Sequence, residues 1–226
     1  MKLVSQLSYR SPEAWRPAAT IIEENSIGLW GVCFSWGSVD LAPKVLENVR
    51  FFVDACLNQS EITNPFGYQT GLSSLENALR AGCALSNDVI FRLVNKSQLT
   101  GGAECALFAK RGRELAILQF GQPHIFLLRH QKVIPLITGF DFLPSDTNSG
   151  LFLPSQLLGT QSSCYPSLRS FQYEKGDSLI LLAHSQLPGS ILFSEAASKD
   201  DDLRGLFQII AQQLPRHPFW LAKVRL

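Results

Sequence analysis

The sequence has little that would tie the protein to a membrane or to nucleic acid. No stretch approaches the roughly 20 consecutive apolar residues that cross a bilayer, and residues 1–8 lack the apolar core of a secretory signal. The formal net charge is only +1, without a dense run of Lys and Arg, so nothing favours an anionic partner. We therefore expect a cytoplasmic protein that binds neither membranes nor nucleic acid.

Paired cysteines are also missing. The five cysteines are odd in number, widely spaced and never arranged as Cys-x-x-Cys, which excludes a disulfide framework and a local zinc motif. We interpret them as reduced thiols that pack as small hydrophobes. The chain is otherwise typical of a folded protein, with 46% apolar, 10% aromatic and 17% charged residues. Its 226 residues suit one domain, residues 1–226.

Hydrophobic periodicity predicts an α+β fold. A capping-box pattern, Ser73 to Glu76, opens the second of three expected helices. The predicted helices are 39–58, from 73 to about 93, and one that follows the acidic residues 200–202. The predicted strands are 27–34, a four-strand antiparallel meander at 103–110, 114–120, 124–129 and 132–137, and then 168–173, 178–183 and 219–226. An irregular excursion at about 138–168 interrupts them. This order favours a four-layer α-β-β-α sandwich, with two antiparallel sheets between helices.

Two segments resemble the metal-dependent serine/threonine protein phosphatases of the 2C type. Residues 175–187, Lys-Gly-Asp-Ser-Leu-Ile-Leu-Leu-Ala-His-Ser-Gln-Leu, are similar to that family's Gly-Asp-x-Leu-Leu-Leu-x-Ser-Asp-Gly-Leu. Residues 102–129 resemble the family's Gly-x-Thr strand, its hairpin and its Val-Gly-Asp-Ser-Arg-x-Tyr-Leu-x-Arg strand, with Gly121, Leu127 and Arg129 retained. The element order also agrees with that family, so the resemblance implies the same fold over nearly the whole chain.

The resemblance implies a metal site whose aspartates this sequence lacks. In the family, aspartates at separate strand ends hold two Mg²⁺ or Mn²⁺ ions, and such hard cations need anionic oxygen ligands. Ser35 and Trp36 stand where the family has Asp-Gly, and Gln122 stands where it has the Asp of Asp-Ser. His184-Ser185-Gln186 replaces Ser-Asp-Gly, and His217-Pro218 replaces the last Asp-Asn/Asp pair, shortly before Trp220.

Upstream, the family has Arg-x-x-Asn-x-Asp. Arg16 matches the arginine that meets phosphate in the family, whereas the neighbouring aspartate is absent. Because losing all these carboxylates leaves two dications without compensating charge, we expect no binuclear centre and no bound cofactor. The replacements are then either solvated turn residues or the lining of a repurposed pocket. A third alternative places His184 and His217 close together, with Cys33 or Ser35, as a metal cluster or a nucleophile–base pair.

Three functions follow. The favoured hypothesis is a pseudophosphatase that binds a protein partner, such as a phosphoprotein, a kinase or an active phosphatase, at a former active-site cleft. That cleft would be lined by Trp36, His184, Gln186, His217 and Trp220. One alternative is a divergent but active Mg²⁺- or Mn²⁺-dependent phosphatase. The other is a structural subunit of a larger assembly.

Overall fold

The computed structural model describes residues 1–12, 14–37, 39–58, 64–139, 154, 156–184, 187–189, 191 and 202–226. The chain divides into two compact units, each built from discontinuous segments. The terminal unit comprises Met1–Pro17, Gln122–Ser155 and Glu174–Leu226. The central unit comprises Ala18–Gly121 and Gln156–Tyr173. None of the helices in the described ranges is long and apolar enough to cross a membrane.

The central unit is a five-stranded antiparallel sheet with two helices on one face. Its strands are β2 (Ala19–Glu24), β3 (Leu29–Gly37), β4 (Gly101–Arg111), β5 (Glu114–Phe120) and β8 (Ser167–Gln172), in that spatial order. Its helices are α1 (Ala42–Asn58) and α2 (Ser74–Val89), and α2 continues as a π-helical turn, Ile90–Val94. Alternate residues of β3 and β4, such as Cys33 and Leu107, pack with the apolar faces of both helices.

The start of α2 and its packing against α1 follow from local sequence. Ser73 Oγ accepts from the Glu76 amide at 3.2 Å, and the Glu76 carboxylate accepts from the Ser73 amide at 2.8 Å, so the predicted capping box is confirmed. The helices approach closely at Gly82, where an added Cβ would lie 2.7 Å from Val49 Cα. Glycine is therefore needed at this crossing.

The terminal unit is a second five-stranded antiparallel sheet. Its strands are β1 (Lys2–Tyr9), β10 (Phe219–Arg225), β9 (Ser178–Ala183), β6 (Pro123–Arg129) and β7 (Lys132–Ile137), in that spatial order. Helix α3 (Arg204–Gln213) packs on it, because Leu206, Ile210 and Leu214 share an apolar core with residues of β6, β9 and β10. Such a sheet buries one stripe of the helix and leaves the other in water.

Most predicted elements are confirmed, and three differences are informative. Strands β1 and β2 are not predicted by the sequence pattern. The predicted four-strand meander is wrong, because β4 and β5 form a hairpin in the central sheet while β6 and β7 form one in the terminal sheet. The chain changes sheet at Gly121, whose φ of 91° is a conformation that glycine adopts without strain. The first helix begins at Ala42 instead of residue 39, because Ser35 and Asp40 cap it there.

Most of the predicted excursion at 138–168 lies outside the described residues. Its later part belongs to the central unit, where Leu158 forms a two-way bridge with Ala103, with N···O distances of 2.8 and 3.2 Å. Of the acidic residues predicted to begin the last helix, only Asp202 is described, and its carboxylate accepts from the Arg204 amide at 3.1 Å.

Candidate functional site

In the central unit, Ser35 is the helix cap of α1. Its Oγ accepts hydrogen bonds from the Leu41 amide at 2.9 Å and the Ala42 amide at 2.8 Å, and it donates to Asp40 Oδ1 at 2.8 Å. Asp40 Oδ1 also accepts from the Ala42 amide at 3.3 Å. An anionic carboxylate at a helix N-terminus is stabilised by the unpaired amides there. The side chains of Ser35 and Asp40 are therefore engaged in starting α1.

Trp36 is packed into the structure immediately after Ser35. Its side chain is only 3% exposed, and its backbone pairs with Gly102 of β4. A Cβ at Gly102 would lie 2.7 Å from the Leu157 side chain, so the backbone that pairs with Trp36 is closely packed. The tryptophan fills space with apolar surface.

In the terminal unit, strand pairing brings four of the other predicted positions to one end of the sheet. Strand β9 runs antiparallel to both β6 and β10, and Ala183 pairs with Pro123 on one side and Trp220 on the other. The residue after β9, His184, therefore lies at the same end as Gln122 and His217, which precede the neighbouring strands. Antiparallel topology alone explains how positions so far apart in sequence converge.

Three interactions define this terminal-unit group. The His184 and His217 rings pack edge to face with centroids 5.5 Å apart, as the sequence predicted, and His184 is 2% exposed. Arg16 Nη1 donates to Gln122 Oε1 at 2.7 Å. Trp220 is also buried, and its indole N–H donates to Gln6 Oε1 at 3.3 Å.

Pro218 lies next to this group and is buried. Ser185 and Gln186 lie outside the described residues. Across the described ranges, no three His, Cys, Asp or Glu side chains are grouped so that they could hold a metal ion. Ser35 and Trp36 belong to the central unit and the other described positions to the terminal unit.

Several polar residues of note are not identified by the sequence patterns. Glu104 on β4 and His124 on β6 are fully buried, and Trp15, beside Arg16, is 54% exposed. In the sequence, only its residue type marks Trp15, because tryptophan is uncommon at exposed positions. Glu104 and His124 lie within predicted strands, and nothing in those patterns marks either residue as functional.

In the terminal unit, an ion pair links the end of β6 to the residue that precedes β9. Arg129 Nη2 lies 2.6 Å from Asp177 Oδ2, and its Nε lies 3.0 Å from Oδ1, a bidentate geometry. Asp177 Oδ2 also accepts from the Glu174 amide at 2.8 Å. Burial works to raise the pKa of Asp177, but the hydrogen bonds from Arg129 and from the Glu174 amide, together with the charge of Arg129, outweigh it, and the pKa is lowered.

Replacing Ser35 by alanine should destabilise the protein by about 1–2 kcal/mol, because α1 loses its main capping oxygen. Urea denaturation followed by tryptophan fluorescence measures this change. Ser35→Thr is the matched control, since it keeps the hydroxyl and should retain most of the stability. An equal loss in both variants would show that the capping bonds carry little of the stability.

No protein-family model and no curated protein matches the sequence. Solved structures do match it over nearly the full length. They include PppA, a regulatory component of the T6SS in Pseudomonas aeruginosa, with a TM-score of 0.63 and 16% identity over 98% of this chain and 96% of that chain. The catalytic domain of the serine/threonine phosphatase PstP with two manganese ions has a TM-score of 0.59 and 16% identity over 97% and 96%. The PPM phosphatase MsPP of Mycobacterium smegmatis, in complex with cacodylate, has a TM-score of 0.66 and 12% identity over 100% of both chains.

The predicted fold class is thereby confirmed. The two antiparallel sheets with their helices are those of the PPM-type, or 2C-type, serine/threonine phosphatases. At 12–16% identity these structures establish a shared fold. Function is a separate question, because one fold can host many activities.

Proposed function

We propose that this chain is a catalytically inactive phosphatase-like domain that acts by binding a protein partner. The observation that carries the proposal is the set of hydrogen bonds that Ser35 makes. Where the resembled family places a metal-bridging aspartate, this chain has a neutral hydroxyl that accepts two backbone hydrogen bonds and donates one. A residue committed to capping a helix is a poor ligand for a divalent cation.

The residues at the other motif positions do not fit Mg²⁺ or Mn²⁺ either. Gln122, Ser185 and Pro218 supply no negative charge, whereas two adjacent dications require several carboxylates to offset their repulsion. The Gln122 side-chain oxygen already accepts from Arg16. We therefore derive no metal-dependent step for this chain, and no bound cofactor is part of the proposal.

Arg16 is already hydrogen-bonded within the protein, unlike an arginine that is available to bind phosphate. Its Nη1 is hydrogen-bonded at 2.7 Å to a neutral amide oxygen, so a phosphate ligand would have to compete with that bond. Such competition lowers the affinity for a small anion without excluding contact with a protein surface.

The binding part of the proposal rests on Trp15. Tryptophan and arginine are enriched at interface hot spots, and here an exposed tryptophan (54%) directly precedes Arg16 in the terminal unit. A phosphoprotein, a kinase or an active phosphatase is the candidate partner. Among the structural neighbours, PppA is described as a regulatory component of a secretion system. The cytoplasmic location expected from the sequence belongs to the same proposal.

The inactivity is tested by hydrolysis of p-nitrophenyl phosphate with Mn²⁺ present. We expect a rate equal to that of buffer, and a melting temperature that Mn²⁺ does not change. An active 2C-type phosphatase is the positive control for both measurements. Turnover that a chelator abolishes would contradict the proposal and favour a divergent, active phosphatase.

The binding role is tested by affinity capture from the native cell with the wild type and two variants. Trp15→Ala should lose the captured partner, whereas Phe51→Ala, which removes a comparably exposed (60%) aromatic side chain on α1, should retain it. Equal capture by all three proteins would place the binding surface elsewhere. Equal melting temperatures of the variants ensure that any loss is not caused by unfolding.

A further inference from the structure

Four of the five cysteines, which are far apart in sequence, meet in the core of the central unit. Cys33 on β3 pairs in register with Cys105 on β4, and Cys83 lies on the face of α2 that covers these strands. Cys164, in the segment that precedes β8, packs against the same apolar cluster. The fifth, Cys56, packs against this cluster from α1, where its thiol donates to the Ser74 carbonyl at 3.5 Å.

The thiols of this cluster lie at different depths below the protein surface. Cys83 and Cys105 belong to the core cluster against which Cys164 packs, and the Cys83 thiol interacts with the thiols of both. Cys83 and Cys105 are fully buried, whereas Cys164 is only half-buried. Cys164 lines a small surface pocket together with Phe120, Leu157, Thr160 and Tyr165. A reagent in water therefore meets Cys164 first, with Cys83 directly behind it.

The segment that carries Cys164 is already fixed against the helix that carries Cys83. Asn87 of α2 accepts from the Gly159 amide at 2.8 Å and donates to the Gln161 carbonyl at 3.0 Å. Asn95 donates to the Gly159 carbonyl at 2.8 Å. Because these bonds hold the segment against the helix in the reduced protein, linking the two thiols requires little further ordering of the chain.

We propose that Cys83 and Cys164 are a modification site that forms a reversible disulfide on exposure to a peroxide. The Cys164 sulfur attacks one peroxide oxygen, the O–O bond breaks, and water or an alcohol leaves, so that Cys164 becomes a sulfenic acid. The Cys83 sulfur then attacks the Cys164 sulfur, the S–O bond breaks, and the hydroxyl leaves as water with the Cys83 proton. The two thiols lose two electrons, which reduce the peroxide.

The protein environment determines how fast this step runs. The hydrogen bond with Cys83, and then burial, raise the pKa of Cys164, and the thiolate is the reactive form. Oxidation is therefore slow at neutral pH and accelerates as the solution becomes alkaline. Cys33 and Cys105 are fully buried beneath the helices, so peroxide does not reach them in the folded protein.

The test is treatment of the full chain with hydrogen peroxide at mildly alkaline pH, followed by thiol titration and peptide mapping. The five titratable thiols should fall by two, with a mass loss of two hydrogen atoms and a linked peptide containing Cys83 and Cys164. A thiol reductant should restore all five. In Cys164→Ser no pair should be lost, whereas the matched control Cys56→Ser, which alters another half-buried thiol, should still lose two.

Three results would overturn the proposal. They are an unchanged thiol count, a disulfide between another pair, and accumulation of oxygen adducts on Cys164 in the wild type. A Cys83→Ser variant sharpens the test, because Cys164 should then stop at a sulfenic acid that dimedone traps. If Cys83→Ser does not fold, the comparison of Cys164→Ser with Cys56→Ser still decides the outcome.

Discussion

Replacing Asp177 by asparagine is expected to lower the free energy of unfolding by about 3 kcal/mol. The substitution removes the buried carboxylate that Arg129 pairs with through two short hydrogen bonds, and leaves Arg129 its ion pair with the half-exposed Glu174 at 2.9 Å. Asp177 is 2% exposed and Arg129 22%, so water only partly replaces the lost partner, and the cost lies at the lower end of that for a buried pair. Urea denaturation followed by tryptophan fluorescence measures the change.

The same ion pair predicts how stability depends on pH. Although burial opposes it, Arg129 lowers the pKa of Asp177 in the folded protein, so protonation of this carboxyl favours the unfolded chain. The contribution is complete above the pKa of an unfolded aspartate, about 4, and is lost as the pH falls through the lowered value. The wild type should therefore lose more stability than Asp177→Asn on acidification below about pH 4.

The exposed pair of Lys44 and Glu47 provides the control. Their charged groups lie 3.6 Å apart on the surface of α1, with exposures of 56% and 62%, so Glu47→Gln should change stability by about 0.5 kcal/mol or less. If Asp177→Asn costs no more than Glu47→Gln, then the buried pair does not stabilise the fold.

The elements that can be predicted from the sequence are those whose hydrophobic pattern is complete within one segment. The bounds of β5, β7 and β9 match the sequence prediction because each follows a clear turn. Strands β1 and β2 lie at the edges of their sheets, and no residue of either is fully buried. An edge strand gains much of its stability from its neighbour's backbone, so its side chains carry little signal. The edge strand β7 could still be predicted, because it follows a predicted strand and a clear turn, whereas β1 and β2 do not.

The local sequence pattern could not predict which sheet contains each of the four strands between residues 103 and 137. A hairpin has the same turn chemistry and the same alternation in either sheet. What separates β5 from β6 is the change of direction at Gly121, and a single glycine turn does not specify whether the next strand pairs with the last. Long-range packing decides it.

The site was predictable only in part, for similar reasons. His184 and His217 were expected to meet because each lies at the end of a recognised strand. The role of Ser35 depends on α1 beginning at Ala42, a boundary that periodicity places three residues too early. The pairing of Arg129 with Asp177 and the clustering of the cysteines join residues far apart in sequence, and spacing along a chain does not reveal them.

A valine at Gly82 is expected to destabilise the protein by about 3 kcal/mol or more, because the two helices of the central unit touch there through their backbones. An added Cβ would lie 2.7 Å from Val49 Cα and 3.1 Å from Val49 Cγ2. A main-chain atom cannot rotate away, so α1 would have to shift from α2. Even Gly82→Ala should destabilise, although alanine favours a helix interior by about 1 kcal/mol.

Two further variants separate this close approach from helix propensity. Ala84→Val places the same β-branched side chain on α2 at a partly exposed position and should cost only about 0.5 kcal/mol. Adding Val49→Ala to Gly82→Ala removes the clash with the Val49 side chain but leaves the clash with the main chain of α1, so it should recover only part of the loss. Urea denaturation of the set distinguishes the outcomes. If Gly82→Ala is as stable as the wild type or more so, the helices have room to separate and backbone packing does not fix their distance.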